Sequence, residues 1–475
     1  MQNNLKFLTT AVEVRGTHHM ENMKVLSRVK AEGRSFLNAA AETNELAYLV
    51  LLTLYVVIYF LIKAGWVASA ERVEETVKFA LLGVVMWGSA LYLFFVIVKW
   101  KNLWNNIIAL IFVAGVILFA TYYFSKNMST NAYGVVMDIF FCLMACGKDY
   151  RKIIRCILCV TIVMLLIVGI GVPLGYTLDL GKPETVLPGH SLGINYPNTW
   201  GYLVFLGLMS FWYLYLQSKH IITFIVFWSI SAFMYYYIIC RTIAGITLVF
   251  PVLALLVDYI EKRADKKAIE GTFKPLKPLR WLFVSSPFIA FAFMMINSMA
   301  VNWWHKYYHG KLRNLAWRFI QGGLYFRTYG LPIVGNPYRS NQYTYVNVQG
   351  EFIKVGILDS SFAAYIIMRG MLWLLYTLLL LCIALWKAIK KRDYAIILIE
   401  IIMLGFAMME RPGLEMWYNF VLLYPLAKVV SKPGTEPVLE FPKRAEDTSI
   451  GEEALMDVEL PETEQTVDIQ TSDQT

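Results

Sequence analysis

Long apolar blocks recur along this 475-residue chain, approximately at 46–66, 79–98, 107–124, 131–147, 154–174, 198–217, 221–240, 243–259, 281–299, 366–388, 394–410 and 415–430. Most are about 17–22 residues long, the length at which a helix crosses a hydrocarbon core of about 30 Å. Strands of a membrane barrel would alternate polar and apolar residues, and these blocks do not. The pattern predicts an all-α, polytopic membrane protein with about twelve transmembrane helices. Composition agrees. Hydrophobic residues make up 58% of the chain and mean hydropathy is +0.52, whereas soluble domains run near 45–50% apolar.

The net charge of +9 raises the question of nucleic acid, but the basic residues stand in short loops beside apolar blocks, as membrane topology signals do. With both termini cytoplasmic, the inside receives the basic N-terminal segment, Lys99/Lys101, Lys148/Arg151/Lys152/Arg155, Lys219, the run Lys262 to Arg280, Lys387/Lys390/Lys391/Arg392 and Lys428/Lys432. No nucleic-acid partner is expected. Two outside segments are then large: 175–198, and 300–361 with Arg313, Arg318, Arg327 and several aromatics. Long translocated loops escape the positive-inside trend. This one is expected to pack as amphipathic helices on the membrane surface.

Three regions follow: a cytoplasmic N-terminal segment at 1–45, a transmembrane domain at 46–430 that includes the 300–361 loop, and a tail at 431–475. The tail holds twelve acidic residues and four prolines from Lys432 onward, too little apolar surface to fold alone, so a disordered cytoplasmic tail is expected. The N-terminal segment lacks the short apolar core of a cleavable signal, and Met20 or Met23 are alternative starts. All six cysteines lie in or against apolar blocks. Cys156-x-x-Cys159 has no second pair or histidine to complete a zinc set, so helix packing rather than a metal or cofactor is expected.

Candidate site residues are the ionisable and amide groups that hydropathy would keep out of such places. Arg241 sits between two apolar blocks with almost no loop. An arginine there costs several kcal/mol unless hydrated or paired, and its fork of donors suits a phosphate or diphosphate. In Pro188 to Gly201, His190 precedes Pro197-Asn198-Thr199, where a span is expected to begin with Asn198 and Thr199 as caps. Asp359 closes the long loop, and Arg369 lies ten residues on at a depth where charge is expensive. The two are too far apart to pair locally. Arg313 and Arg318, five apart, diverge on one helix and need not reach one ligand.

Pro197-Asn198-Thr199-Trp200-Gly201, Arg241-Thr242, Arg313 ahead of Leu331–Gly335, and Asp359-Ser360 before Gly370 occur in an order that resembles the O-antigen polymerase and ligase superfamily. The likeness covers about residues 46–430. It implies a metal-independent, membrane-embedded glycosyltransferase of the C type, without cofactor, in a bacterial cytoplasmic (inner) membrane. The donor would be a glycan on undecaprenyl pyrophosphate, with membrane lipids, a chain-length regulator and a flippase as further partners. Arg241 and Arg313 would hold the diphosphate and Asp359 would act on the acceptor hydroxyl, while His190, Asn198, Arg318, Arg327 and Arg369 would bind substrate. The ligase branch has a histidine where this chain has Asp359-Ser360, which favours a polymerase of repeat units for capsule, exopolysaccharide or O-antigen. The alternatives are ligase-type transfer to another acceptor, and a lipid-linked oligosaccharide flippase or transporter. Polar residues inside the apolar blocks are scarce, chiefly Asp138 and Arg369, which ordinary helix pairing accounts for.

Overall fold

The computed structural model describes residues 45–64, parts of 83–92, 131–179, 190–194, 197–269, 277–307, 313–333, 344–348, 351–355, 359–416 and 418–429. The expected spans at 79–98 and 107–124 fall wholly or largely outside them, as do the segment 1–44 and the tail from 430.

The helices are α1 (Glu45–Lys63), α2 (Asn131–Met144), α3 (Tyr150–Gly171), α4 (Pro197–Phe211), α5 (His220–Phe233), α6 (Arg241–Ile269), α7 (Lys277–Met299), the short α8 (Val301–His305), α9 (Arg313–Tyr329), α10 (Ser361–Met368), α11 (Met371–Lys391) and α12 (Tyr394–Met409). Among the described residues six helical stretches, at α3, α4, α5, α6, α7 and α11, are long and apolar enough to cross a membrane. α1 and α12 supply shorter apolar helices. Ile162, Ile167, Leu248, Val252, Ile289 and Leu379 lie exposed along these helices, far more contiguous apolar surface than a water-soluble chain presents. The chain is a multi-pass membrane protein by helix length and hydropathy.

Successive helices run between two ends. At one end Lys152 pairs with Glu45, Asp149 bridges to Lys428 and Tyr213 donates to Asp393. At the other, Ala64 bridges to Ile194, the His190 amide donates to the Tyr237 carbonyl and the Met371 amide to the Pro332 carbonyl. The lysines and arginines at 148–155, 390–392 and 428 share the first end, so the charge asymmetry read from the sequence separates the ends in space. The first is called here the basic end and the second the site end.

Local chemistry sets the boundaries. The Asp149 carboxylate accepts the Arg151 amide and starts α3 as a capping residue should. α4 begins on Pro197 itself, whose missing N–H costs nothing in the first turn. Asn198 and Thr199 are therefore inside the helix and not its caps. α4 and α5 both end in a π turn, Trp212–Leu216 and Met234–Ile238.

Two expectations need correction. The block at 366–388 is not one helix: α10 ends at Met368, and Gly370, at φ 97°, makes a turn open to glycine before α11. The block at 415–430 is not a helical span. The described residues of 411–429 form short 3-10 turns and coil, Arg411–Leu414 and Phe420–Leu423 among them, and most are buried. Irregular backbone is tolerated at membrane depth where protein satisfies its polar groups. The Lys387 ammonium donates to the carbonyls of Tyr424, Pro425 and Ala427, Tyr365 donates to that of Leu414, and Asn419 accepts the Val421 amide. Among the described residues the fold is all-helical as expected, apart from one two-stranded hairpin in a loop. The 300–361 loop contains α8 and α9 as expected, but also an antiparallel hairpin of β1 (Thr344–Val348) and β2 (Glu351–Val355), with Thr344 opposite Val355.

α9 lies close on α7 because Gly322 and Gly323 face Ser298. A side chain at Gly323 would meet the Ser298 carbonyl at 2.0 Å. Small residues at such contacts let backbones approach, and in lipid it is this packing rather than water expulsion that holds helices together. The contact seats α9, and with it Arg318, over the membrane helices.

Candidate functional site

Three groups of charged side chains occupy the site end. The central one is built on Arg318, in the second turn of α9. Its guanidinium forks between two carboxylates, Nη1 to Asp359 at 2.7 Å and Nη2 to Glu410 at 2.8 Å. Glu410 ends α12, where the helix breaks, and its second oxygen accepts the Tyr202 hydroxyl from α4 at 2.5 Å. The Ser361 hydroxyl donates to the carbonyls of Glu410 and Arg411. Four segments distant in sequence are thus tied through one guanidinium. The Glu410 side chain is 5% exposed and that of Asp359 is 28% exposed, so Asp359 is the member solvent reaches. Burial pushes its carboxyl up to about 6 against the pull of Arg318, with Glu410 adding to the rise. Such a group is mostly ionised at neutral pH yet still basic enough to take a proton.

The second group surrounds Arg369, which follows α10. It pairs with Asp138 of α2 at 3.2 Å and Glu415 at 3.6 Å, and donates to the Tyr365 hydroxyl at 2.6 Å. Tyr365 also underlies the guanidinium at 4.3 Å. Asp359 and Arg369 therefore do find separate partners, as their spacing requires. Charges at this depth persist when paired, and the arrangement fastens α2, α10 and the coil after α12. Arg369 is thus not part of the Arg318 group.

The third group lies in the segment between α3 and α4. Asp179 accepts His190 Nδ1 at 2.6 Å and the amides of Ser191 and Leu192 at 2.7 and 3.0 Å. Burial works to raise its carboxyl, but the His190 bond and the two amides outweigh it, and the carboxyl lies below its usual value. His190 stacks on Tyr237 at 4.2 Å and 15°.

The other sequence candidates are less assembled. Arg241 is exposed at the first position of α6 and forms no ion pair with a described residue. Cys240 before it packs on Gly201, next to Tyr202, so Arg241 is one helix away from the Arg318 group at the same end. Arg313 opens α9, and its side chain lies outside the described residues. Asn198 is half-buried, with its Oδ1 unpartnered. Arg327 is exposed. It stands nine residues, about two and a half turns, beyond Arg318 and so faces the opposite side of α9. Arg318 itself is engaged by two carboxylates, Asp359 and Glu410.

Sequence reasoning missed Glu410, Arg411, Tyr202, Asp179 and Tyr237 as site members. Glu410-Arg411-Pro412-Gly413 at the end of an apolar block was the available signal, since an adjacent charge pair before a helix-breaking Pro-Gly marks a polar destination. Tyr202 carries no such mark. No metal-sized group of histidine, cysteine or carboxylate side chains occurs among the described residues. No protein-family model, curated protein or solved structure matches this chain.

Proposed function

We propose that the chain polymerises oligosaccharide repeat units carried on undecaprenyl pyrophosphate into a surface polysaccharide, at the outer face of a bacterial cytoplasmic membrane. The supporting observation is the Arg318–Asp359–Glu410 group. It holds one partly solvated, weakly basic carboxylate at the end of a membrane bundle, with the exposed cation Arg241 one helix away at the same end.

In this reading the acceptor hydroxyl attacks the anomeric carbon of the donor glycan while Asp359 takes its proton. The bond from that carbon to the diphosphate oxygen breaks, and the electron pair leaves with the diphosphate. Arg241 and Arg313 meet the growing negative charge, which fixed cations stabilise without reorganising solvent. Arg318 and Glu410 hold the Asp359 carboxyl in place, and Tyr202 anchors Glu410. Asp359-Ser360, in place of the histidine of the ligase branch, favours polymerisation over transfer to a different acceptor.

The test is purified protein in liposomes given labelled lipid-linked repeat units. Chain growth with release of undecaprenyl pyrophosphate is expected, with Asp359→Asn and Arg241→Ala each slowing it by at least about a hundredfold. Movement of the lipid across the bilayer without growth would identify a flippase. Transfer of a single glycan to a non-glycan acceptor would identify a ligase. Full activity of Arg241→Ala would remove that residue from the site.

A further inference from the structure

A polar cleft opens at the basic end, away from the Arg318 group at the site end. Counting its mouth it holds about 480 Å³ of open space, room for a small headgroup, and four separate segments line it. Backbone pairing builds one wall. The Gly147 amide donates to the Leu426 carbonyl, the Lys428 amide to that of Lys148, and the Tyr150 amide to that of Lys428. This short parallel pairing delivers Lys428 to the start of α3, where Arg151 stands. The π turn Trp212–Leu216 supplies a second wall, and such distortions are frequent at functional sites. Its Tyr213 reaches the turn between α11 and α12, donating to Asp393 at 3.0 Å. Tyr215, on the same turn, is exposed, as aromatic side chains at headgroup depth are.

The charges of the cleft are unequal. Three cations line it, Arg151, Lys391 and Lys428, against two carboxylates, Asp149 and Asp393. Both carboxylates are occupied by donors of the protein itself. Asp149 accepts the Arg151 amide at 2.9 Å and caps α3. Asp393 accepts the hydroxyls of Tyr213 and Tyr424 at 3.0 and 3.1 Å and caps α12 through the Ile396 amide. Gln217 is turned inward as well, its Nε2 donating to the Tyr213 carbonyl at 2.7 Å. Arg151 and Lys428 are exposed and form no ion pair with a described residue. Lys391 closes the last turn of α11 and is 3% exposed. What remains for a ligand is a set of positively charged N–H donors arriving from three elements. A carboxylate has two oxygens and suits a single fork, whereas a phosphate ester offers several acceptors on one centre. Charge-assisted bonds to such oxygens are the strong ones, and basic pockets between membrane helices are where phosphate headgroups bind.

We propose that this cleft is a binding site for a phosphate-ester anion, either the headgroup of an acidic phospholipid or a soluble phosphate, held by Arg151, Lys391 and Lys428. No residue of the Arg318 group takes part, so the site is independent of the polymerase reading. An occupied cleft joins the start of α3, the π turn after α4, the turn between α11 and α12, and the end of the buried coil at 428. The ligand therefore clamps elements that otherwise meet only at their ends.

The experiment measures binding by calorimetry to the detergent-purified full chain, at 0.15 M salt, where attraction between exposed charges more than about 8 Å apart is largely screened. The probes are dioctanoyl phosphatidylglycerol mixed into the micelles, and inorganic phosphate. Three proteins are compared: wild type, the double variant Arg151→Gln with Lys428→Gln, and the double variant Lys219→Gln with Arg263→Gln. The last removes the same charge from exposed side chains outside the cleft. The cleft variant is expected to bind at least about tenfold more weakly than wild type, and the control less than about twofold more weakly. Loss confined to the lipid probe supports the site and names the headgroup as its ligand. Loss of inorganic phosphate as well supports it and shows that a soluble phosphate ligand is accepted. Equal weakening in both variants would mean diffuse attraction to a basic surface, and the proposal falls. It falls equally if the cleft variant binds both probes like wild type, or if wild type binds neither.

Discussion

Asp359→Asn is expected to make the protein more stable at neutral pH while abolishing its activity. Burial lifts the Asp359 carboxyl from 3.8 to about 6, so the folded protein favours the protonated acid more than the unfolded chain does. For a group raised in this way, the stabilising contribution is complete below pH ~3.8. It is lost as pH rises through about 6. Above pH 6 the folded state therefore holds an ionised carboxylate that it would rather hold neutral. At about 1.4 kcal/mol per pH unit the burden is about 3 kcal/mol. Solvent reaching the 28% exposed side chain screens part of it, leaving about 1–3 kcal/mol. An asparagine keeps the shape and an acceptor for Arg318 without the charge. Chemical unfolding in detergent micelles, run on both proteins at pH 7.5 and pH 4, should show the variant ahead by that amount at 7.5 and nearly level at 4. If Asp359→Asn is instead the less stable protein at pH 7.5, attraction to Arg318 outweighs burial. Asp359 would then be a structural ion-pair partner without stored basicity, and the argument for it as a base would collapse.

Arg318→Met leaves two carboxylates facing each other without their cation and should cost about 3–5 kcal/mol, whereas Glu410→Gln, which leaves the Arg318–Asp359 pair intact, should cost about 1–3 kcal/mol; the same unfolding assay gives the order, and a reversal would mean that Arg318 is not the hub. Gly323→Ala drives a methyl group into the Ser298 carbonyl and should destabilise by about 1–3 kcal/mol while lowering chain growth, because α9 must lift and carry Arg318 with it; an active variant of wild-type stability would show that the seat of α9 is slack.

Much of the architecture is legible in the sequence because the bilayer imposes a length and a charge rule that act on short stretches of chain. Blocks of about twenty apolar residues mark helices whatever they pack against, and α3, α5, α6 and α7 lie close to the blocks that announce them. The basic loops sort the ends, since each loop reports its side independently. The block at 415–430 deceives for the same reason. Hydropathy registers that Phe420–Leu423 avoid water, but not whether lipid or protein takes its place. That choice depends on Lys387, Asn419 and Tyr365 arriving from other elements to satisfy the backbone.

Residue by residue, the candidate site divides in the same way. Sequence alone marks Arg241 and Arg369 because a charge in or between apolar runs is expensive, which is a local property, and marks Asp359, Arg318 and His190 by their place in the two long outside segments. It does not tell which of them act together. Only the tertiary structure joins Arg318 to Asp359 and Glu410 across α9, the start of α10 and the end of α12, sends Arg369 to Asp138 and Glu415 instead, and turns His190 toward Asp179. Partners are decided by distance in space, to which the spacing of residues along a folded chain bears no fixed relation. The sequence therefore determined that this chain lies in the membrane with charges gathered at its ends, and the fold decided which of those charges meet.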